Sequence, residues 1–261
     1  MPMALATLKL HSPNSLDKEL FNHPRSNPGV VPLKKKGHIF MEIVRIQLAI
    51  FFKHLISRPD HLAKRIDEKL GGIFDAMPEI IGLPMDAPPE IPIVRCNSTK
   101  FPYELSIARN RCDFFIKPQQ ENRDLEIIEL RYSKYISNVI ESSISDNEIT
   151  RIGIVYSAFE EQATPCDFIS YKYFGSTVSR ANELSFRMNR EKQLNGIKIN
   201  NILKVENATR KKDNVVGVAY TRDINSSRLS ETKKSLTKRQ IASILDFSYS
   251  LLTKAKFGEV K

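Results

Sequence analysis

Asp223 and the run Glu231-Thr232-Lys233 come nearest, in type and spacing, to a catalytic set. A carboxylate followed by Glu-x-Lys can hold a magnesium ion while the lysine steadies the attacking water or the developing charge of a nuclease reaction. That chemistry needs neighbouring strand positions. Here "INSSRLS" reads as a loop and "ETKK" as its end or a first helical turn. A solvated, mixed-charge helix entrance is the simpler reading, and a metal-dependent nuclease stands as a second alternative. A nucleophile–base pair would need Cys96, Cys112 or Cys166 beside His54 or His61, and no spacing brings them together. Cys112 in "RCDFFI" suits a small buried strand residue. His61 falls in the first turn of an expected helix and should be exposed. No CxxC pair points to zinc, and no glycine-rich phosphate cradle occurs. The sequence thus predicts no cofactor and no metal site.

Charge is the stronger signal. The net charge is +10, and residues 180–261 carry all of the excess, with 18 Lys/Arg against 8 Asp/Glu. One-sided basic surface attracts phosphates, acidic proteins or anionic lipid heads. The candidate contacts are Arg187, Lys198 and Lys204 on two paired strands, Arg210, Lys211 and Lys212 in a turn, and Lys233, Lys234, Lys238 and Arg239 at the start of the last helix. Cations at a helix N-terminus oppose its dipole, which favours a ligand-facing use. Asn182, Ser185, Asn189 and Asn200 add adaptable hydrogen bonding. Phe186 and Tyr220 fall on the expected core face, so no exposed rings invite stacking with single-stranded RNA.

The elements that must position these groups follow from periodicity. In "EIVRIQLAIFF", Val44, Ile46, Leu48, Ile50 and Phe52 share one strand face. A helix follows, with Ser57 as cap, Pro59 in its first turn, a Leu62–Ile66–Leu70 stripe and Gly71 at its exit. The proline-rich stretch 78–92 reads as edge strands. "YELSIAR" and "RCDFFIK" make a hairpin around Asn110. Leu125, Ile128, Tyr132 and Val139 mark a long amphipathic helix. A strand over 148–159 and a short helix near 167–174 come next. Two strands then meet at Asn195-Gly196, a hairpin signature, followed by a strand over 214–221. A single helix over 236–256 closes the chain, with Thr237 and Gln240 at capping-box spacing.

The order predicts an α+β fold in which β-α-β3–4-α occurs twice, as a pseudo-duplication. Its antiparallel sheet would have long helices packed on one face. Residues 1–40 read as a flexible tail, 41–147 as a first half and 148–261 as a second half bearing the basic surface. The N-terminus is a poor signal peptide, no run reaches membrane-span length, and three well-separated cysteines suit a reducing cytoplasm.

This element order resembles the duplicated saddle of TATA-binding-protein-like folds over residues 41–256. Separately, "RIGIVYSAF" (151–159) and "YTRDINSSRL" (220–229) before a terminal helix are similar to a sporadically distributed family of uncharacterised bacterial proteins. That resemblance implies a bacterial accessory protein, in a defence or mobile-element setting, and no activity. The expectation is a non-enzymatic protein that holds a protein partner through an open sheet face and a basic C-terminal third. Direct nucleic-acid binding is the alternative.

Overall fold

The computed structural model of the chain describes residues 41–84, 86–175, 181–227 and 234–259. The expected tail over 1–40 lies outside them. In chain order the elements are β1 (Glu42–Phe52), α1 (Pro59–Leu70), β2 (Glu79–Ile80), β3 (Pro92–Asn97), β4 (Tyr103–Ala108), β5 (Arg111–Ile116), α2 (Leu125–Ile144) and β6 (Ile149–Glu161). They continue as α3 (Pro165–Phe174), β7 (Ser185–Leu194), β8 (Ile197–Arg210), β9 (Val215–Ser226), α4 (Lys238–Tyr249) and α5 (Lys254–Phe257). The fold is α+β. Among the described residues the nine strands form one antiparallel sheet, in the order β2-β3-β4-β5-β1-β6-β9-β8-β7. The β1–β6 ladder joins the expected halves, 41–147 and 148–261, into a single sheet.

Alternation sets which side chains enter the core. Ile46, Leu48 and Ile50 of β1 stand opposite Ile116, Phe114 and Cys112 of β5, and opposite Tyr156, Ile154 and Ile152 of β6. All nine are buried. The same row continues through Arg222 and Ile224 of β9 and Leu203 and Val205 of β8. Val44 was expected in this row, but a bulge between Ile43 and Arg45 shifts the pairing. Ile43 is buried instead and Val44 is left half-exposed. An inserted residue reverses the inward–outward sequence of a strand, so no period-2 reading carries through it.

Four helices meet this row. Tyr135 of α2 lies 5.0 Å, ring to ring, from Tyr103. Ser248 of α4 is 3.2 Å from the Tyr156 hydroxyl, and Phe257 of α5 sets its ring edge-on to Tyr156 at 6.4 Å. Tyr173 of α3 packs on Phe186 at 4.6 Å. Helix α1 leans on α2, where Lys69 and Glu141 pair at 3.2 Å.

Local details differ from the sequence reading at three places. Arg58, not Ser57, precedes α1 and makes no side-chain cap, although Gly71 does take the left-handed exit at φ 84°. Strand β9 runs on to Ser226, so Asp223 sits in a strand and not in a loop. The closing helix is two: α4 ends at Tyr249, where the hydroxyls of Ser248 and Ser250 donate to the carbonyls of Leu245 and Phe247. Such back-bonding competes with the helical ladder. The capping box at Thr237 and Gln240 forms with both its bonds, at 3.2 and 2.9 Å.

Candidate binding face

The residues between the core positions form the other side of the sheet. On β1 these are Arg45, Gln47, Ala49 and Phe51. Their ladder neighbours are Phe115, Asp113 and Arg111 on β5, and Ser157, Val155, Gly153 and Arg151 on β6. The face continues through Asn225, Asp223 and Thr221 on β9, and Asn200, Ile202 and Lys204 on β8.

Its centre is built from cations stacked on rings. The Arg111 and Arg151 guanidiniums lie 4.8 and 5.1 Å from the Phe51 ring, and Arg45 lies 4.3 Å from the Phe115 ring. Arg111 also pairs with Asp113 at 2.6 Å, and Gln47 donates to the same carboxylate at 2.8 Å. From Arg151 a polar chain crosses three more strands. Arg151 donates to Asn225 at 3.2 Å, Asn200 donates to Asn225 at 3.1 Å, and Asn189 donates to Asn200 at 3.2 Å. Asn225 in turn donates to Asp223 at 2.9 Å. Cross-strand neighbours of this kind hold one another's rotamers, so the face is pre-organised.

The predicted basic residues are only partly brought together. Arg187, Lys198, Lys204 and Arg210 share the face, because Arg187 pairs in register with Lys204 and the other three alternate along β8. Arg187 and Lys198 are exposed, while Leu184, Phe186 and Met188 are half-buried on the opposite side, the side on which Phe186 was expected. The surface is nevertheless less cationic than the sequence predicts. Lys198 pairs with Glu191 at 2.6 Å and Lys204 with Glu206 at 2.7 Å. Arg210 pairs with Asp213 at 2.8 Å and Glu42 at 3.9 Å, and covers the Phe159 ring at 5.0 Å. The Arg210 guanidinium hydrogen-bonded to Asp213 holds that carboxyl below its ordinary range. Lys211 and Lys212 are exposed in the β8–β9 turn, roughly 40 Å along β8 from Lys198 at about 3.3 Å per residue.

The last cluster belongs elsewhere. Lys234, Lys238 and Arg239 are exposed around the start of α4. That helix packs its Ser248 on Tyr156, on the core side of the sheet. They stand at the helix start, as expected from the sequence, near the β7–β8 turn, where Gln240 donates to the Asn195 carbonyl at 3.1 Å. Lys233 lies outside the described residues.

The enzyme readings gain no geometry. Asp223 has Val155 and Ile202 as its direct neighbours across the ladder, and Glu231 lies outside the described residues. Among the described residues no three His, Cys, Asp or Glu side chains converge as metal ligands. Cys112 is fully buried, and desolvation pushes its thiol far up, away from the reactive thiolate. Among the described residues no helix is long and apolar enough to cross a membrane.

Sequence reasoning missed the central residues, Arg45, Phe51, Arg111, Phe115 and Arg151. A signal was present: the outward positions of β1 read Arg-Gln-Ala-Phe, too rich in Arg and aromatic character for an indifferent solvent face. No protein-family model matches the chain, and no curated protein matches it either.

Proposed function

We propose that this chain is a non-enzymatic docking protein that holds a protein partner on the sheet face centred on β1 and β6. The reading includes a pseudo-duplicated scaffold. Moving outward from β1 and β6, the sheet order matches β5 with β9, β4 with β8 and β3 with β7, and a helix follows each long central strand and each meander. It also includes helices on one face only. The contacts of Tyr103, Tyr156 and Phe186 with α2, α4, α5 and α3 all fall on the same side of the ladder, which supports that arrangement.

One observation carries the choice of a protein partner: arginines stacked on half-buried rings stand beside paired carboxylates. Arg and aromatic residues are enriched in protein interfaces and dominate their binding energy. A surface for duplex backbones needs uncompensated cations, because its affinity comes from counterion release. Here Lys198, Lys204 and Arg210 are each already neutralised. Direct nucleic-acid binding keeps one favourable observation. Arg187, Lys211, Lys212, Lys234, Lys238 and Arg239 have no ion-pair partner among the described residues.

The test is co-purification of the tagged full chain from its native cells, with and without nuclease treatment, beside the Arg45→Glu and Phe115→Ser variants. The reading expects a protein that survives nuclease and is lost with either variant. A protein released by nuclease, or retained by both variants, overturns it. In parallel, duplex DNA retention should be weak, with little salt dependence. A steep fall between low and moderate salt would instead favour the nucleic-acid alternative.

A further inference from the structure

Strand β7 ends the sheet, and among the described residues only β8 pairs with it. Its ten residues carry no proline, and their register with β8 runs without a shift. Two anchors fix which backbone groups face β8. The Asn195-Gly196 turn, with φ of 47° and 78°, closes a two-residue hairpin whose flanking pair, Leu194 and Ile197, is hydrogen-bonded. At the other end the Leu184 carbonyl accepts from the Asn207 amide at 3.1 Å. Both anchors are even-numbered on β7. Antiparallel ladders alternate, so Ser185, Arg187, Asn189, Glu191 and Gln193 turn their amides and carbonyls outward, along an open edge.

We propose that this edge pairs with β7 of a second copy of the chain, antiparallel, about a twofold axis through Asn189. In that register the outward residues oppose one another as Asn189 with Asn189, Arg187 with Glu191 and Ser185 with Gln193. The pairing is self-complementary, as a twofold interface requires. It sets the exposed Arg187, which has no ion-pair partner among the described residues, against an acid whose other neighbour is Lys198 at 2.6 Å. A shift by two residues one way places Arg190 against Arg190; the other way places Arg187 against Asn189. Only the Asn189-centred register offers two Arg–Glu pairs without a like-charge clash. The dimer continues the sheet from one copy into the next and doubles the candidate face. It rests on the edge and its charge order, and holds whether or not that face docks a partner.

Charged side chains on an edge also serve to keep strands apart, and sedimentation velocity of the full chain over a concentration series separates the two roles. The proposal expects a monomer–dimer equilibrium in the wild type. Arg187→Glu alone and Glu191→Arg alone each place like charges opposite one another twice. Either should weaken association about tenfold. The double variant Arg187→Glu with Glu191→Arg restores opposite charges and should restore the dimer. Asn189→Pro removes an outward amide and leaves the backbone ladder to β8 intact, giving up only the exposed side-chain bond to Asn200, so it should abolish the dimer while circular dichroism stays near wild type and the melting temperature falls by little. A monomer at every concentration overturns the proposal. So does a dimer indifferent to all four variants, or a double variant weaker than both singles.

Discussion

Arg222 is the most demanding single residue of the structure. Its guanidinium is buried in the core row, where it donates to the carbonyls of Phe257, Lys256 and Glu259 and to the Asn201 side chain. Burial lowers its pKa to about 10, so the cation persists at neutral pH and ties the chain end to β9. Arg222→Met leaves those carbonyls unsatisfied and should cost about 3 kcal/mol in denaturant unfolding. Asp75 makes the opposite kind of contribution, at the surface. It accepts from the Thr99 hydroxyl and amide and from Ser98, which hold its carboxyl down at about 2. Its folded pKa lies below the unfolded value of about 3.9. The stabilisation it gives is therefore complete above that value and lost as pH falls through about 2. A carboxyl-detected NMR titration should find Asp75 titrating near that pH. Asp75→Asn should flatten the acid-unfolding curve between those limits; an unchanged curve would contradict the assignment.

At the scale of elements, two features set the junctions. Thr237→Ala removes one arm of the α4 capping box and should cost about 1 kcal/mol, with Thr237→Ser near neutral in the same thermal melt. Gly217, in register with Glu161, marks a close approach at the end of the β6–β9 ladder: an added Cβ would stand 2.3 Å from the Glu160 carbonyl oxygen and 2.6 Å from the Phe159 ring. Gly217→Ala should therefore destabilise by about 2 kcal/mol or more and raise amide exchange along the β6–β9 ladder. Sequence carried the elements well where one period ran unbroken. Ile46–Leu48–Ile50, the Asn195-Gly196 turn and the Thr237–Gln240 box are all where their spacing puts them. It failed where a tertiary bond overrides composition. The polar end of β9 stays in the sheet because the Ser226 hydroxyl accepts from the Ile152 amide at 3.1 Å. The bulge at Ile43–Arg45 left no mark in the hydrophobic pattern. Candidate-site reading failed for a different reason. Counting net charge along the chain locates the excess but not each lysine's own carboxylate, so Lys198 and Lys204 looked free while Glu191, across the ladder, and Glu206, two residues along the same strand, neutralise them.

At the scale of the molecule, the nine strands among the described residues form a sheet whose core row meets α2, α3, α4 and α5 and whose other side carries an ordered set of arginines, rings and amides. Extending that side by an edge-paired second copy would give one long docking surface from a chain of modest size. The docking claim is tested most directly by site-specific photo-crosslinking in the native cell. A photoreactive residue would replace Ser157, which faces Arg45 across the ladder, or Lys204 on the sheet face, and Lys64 or Lys238 on the helices as controls. The account predicts protein adducts from 157 and 204, unchanged by nuclease, and none from 64 or 238. Adducts confined to the helix positions, or made of nucleic acid, would contradict it.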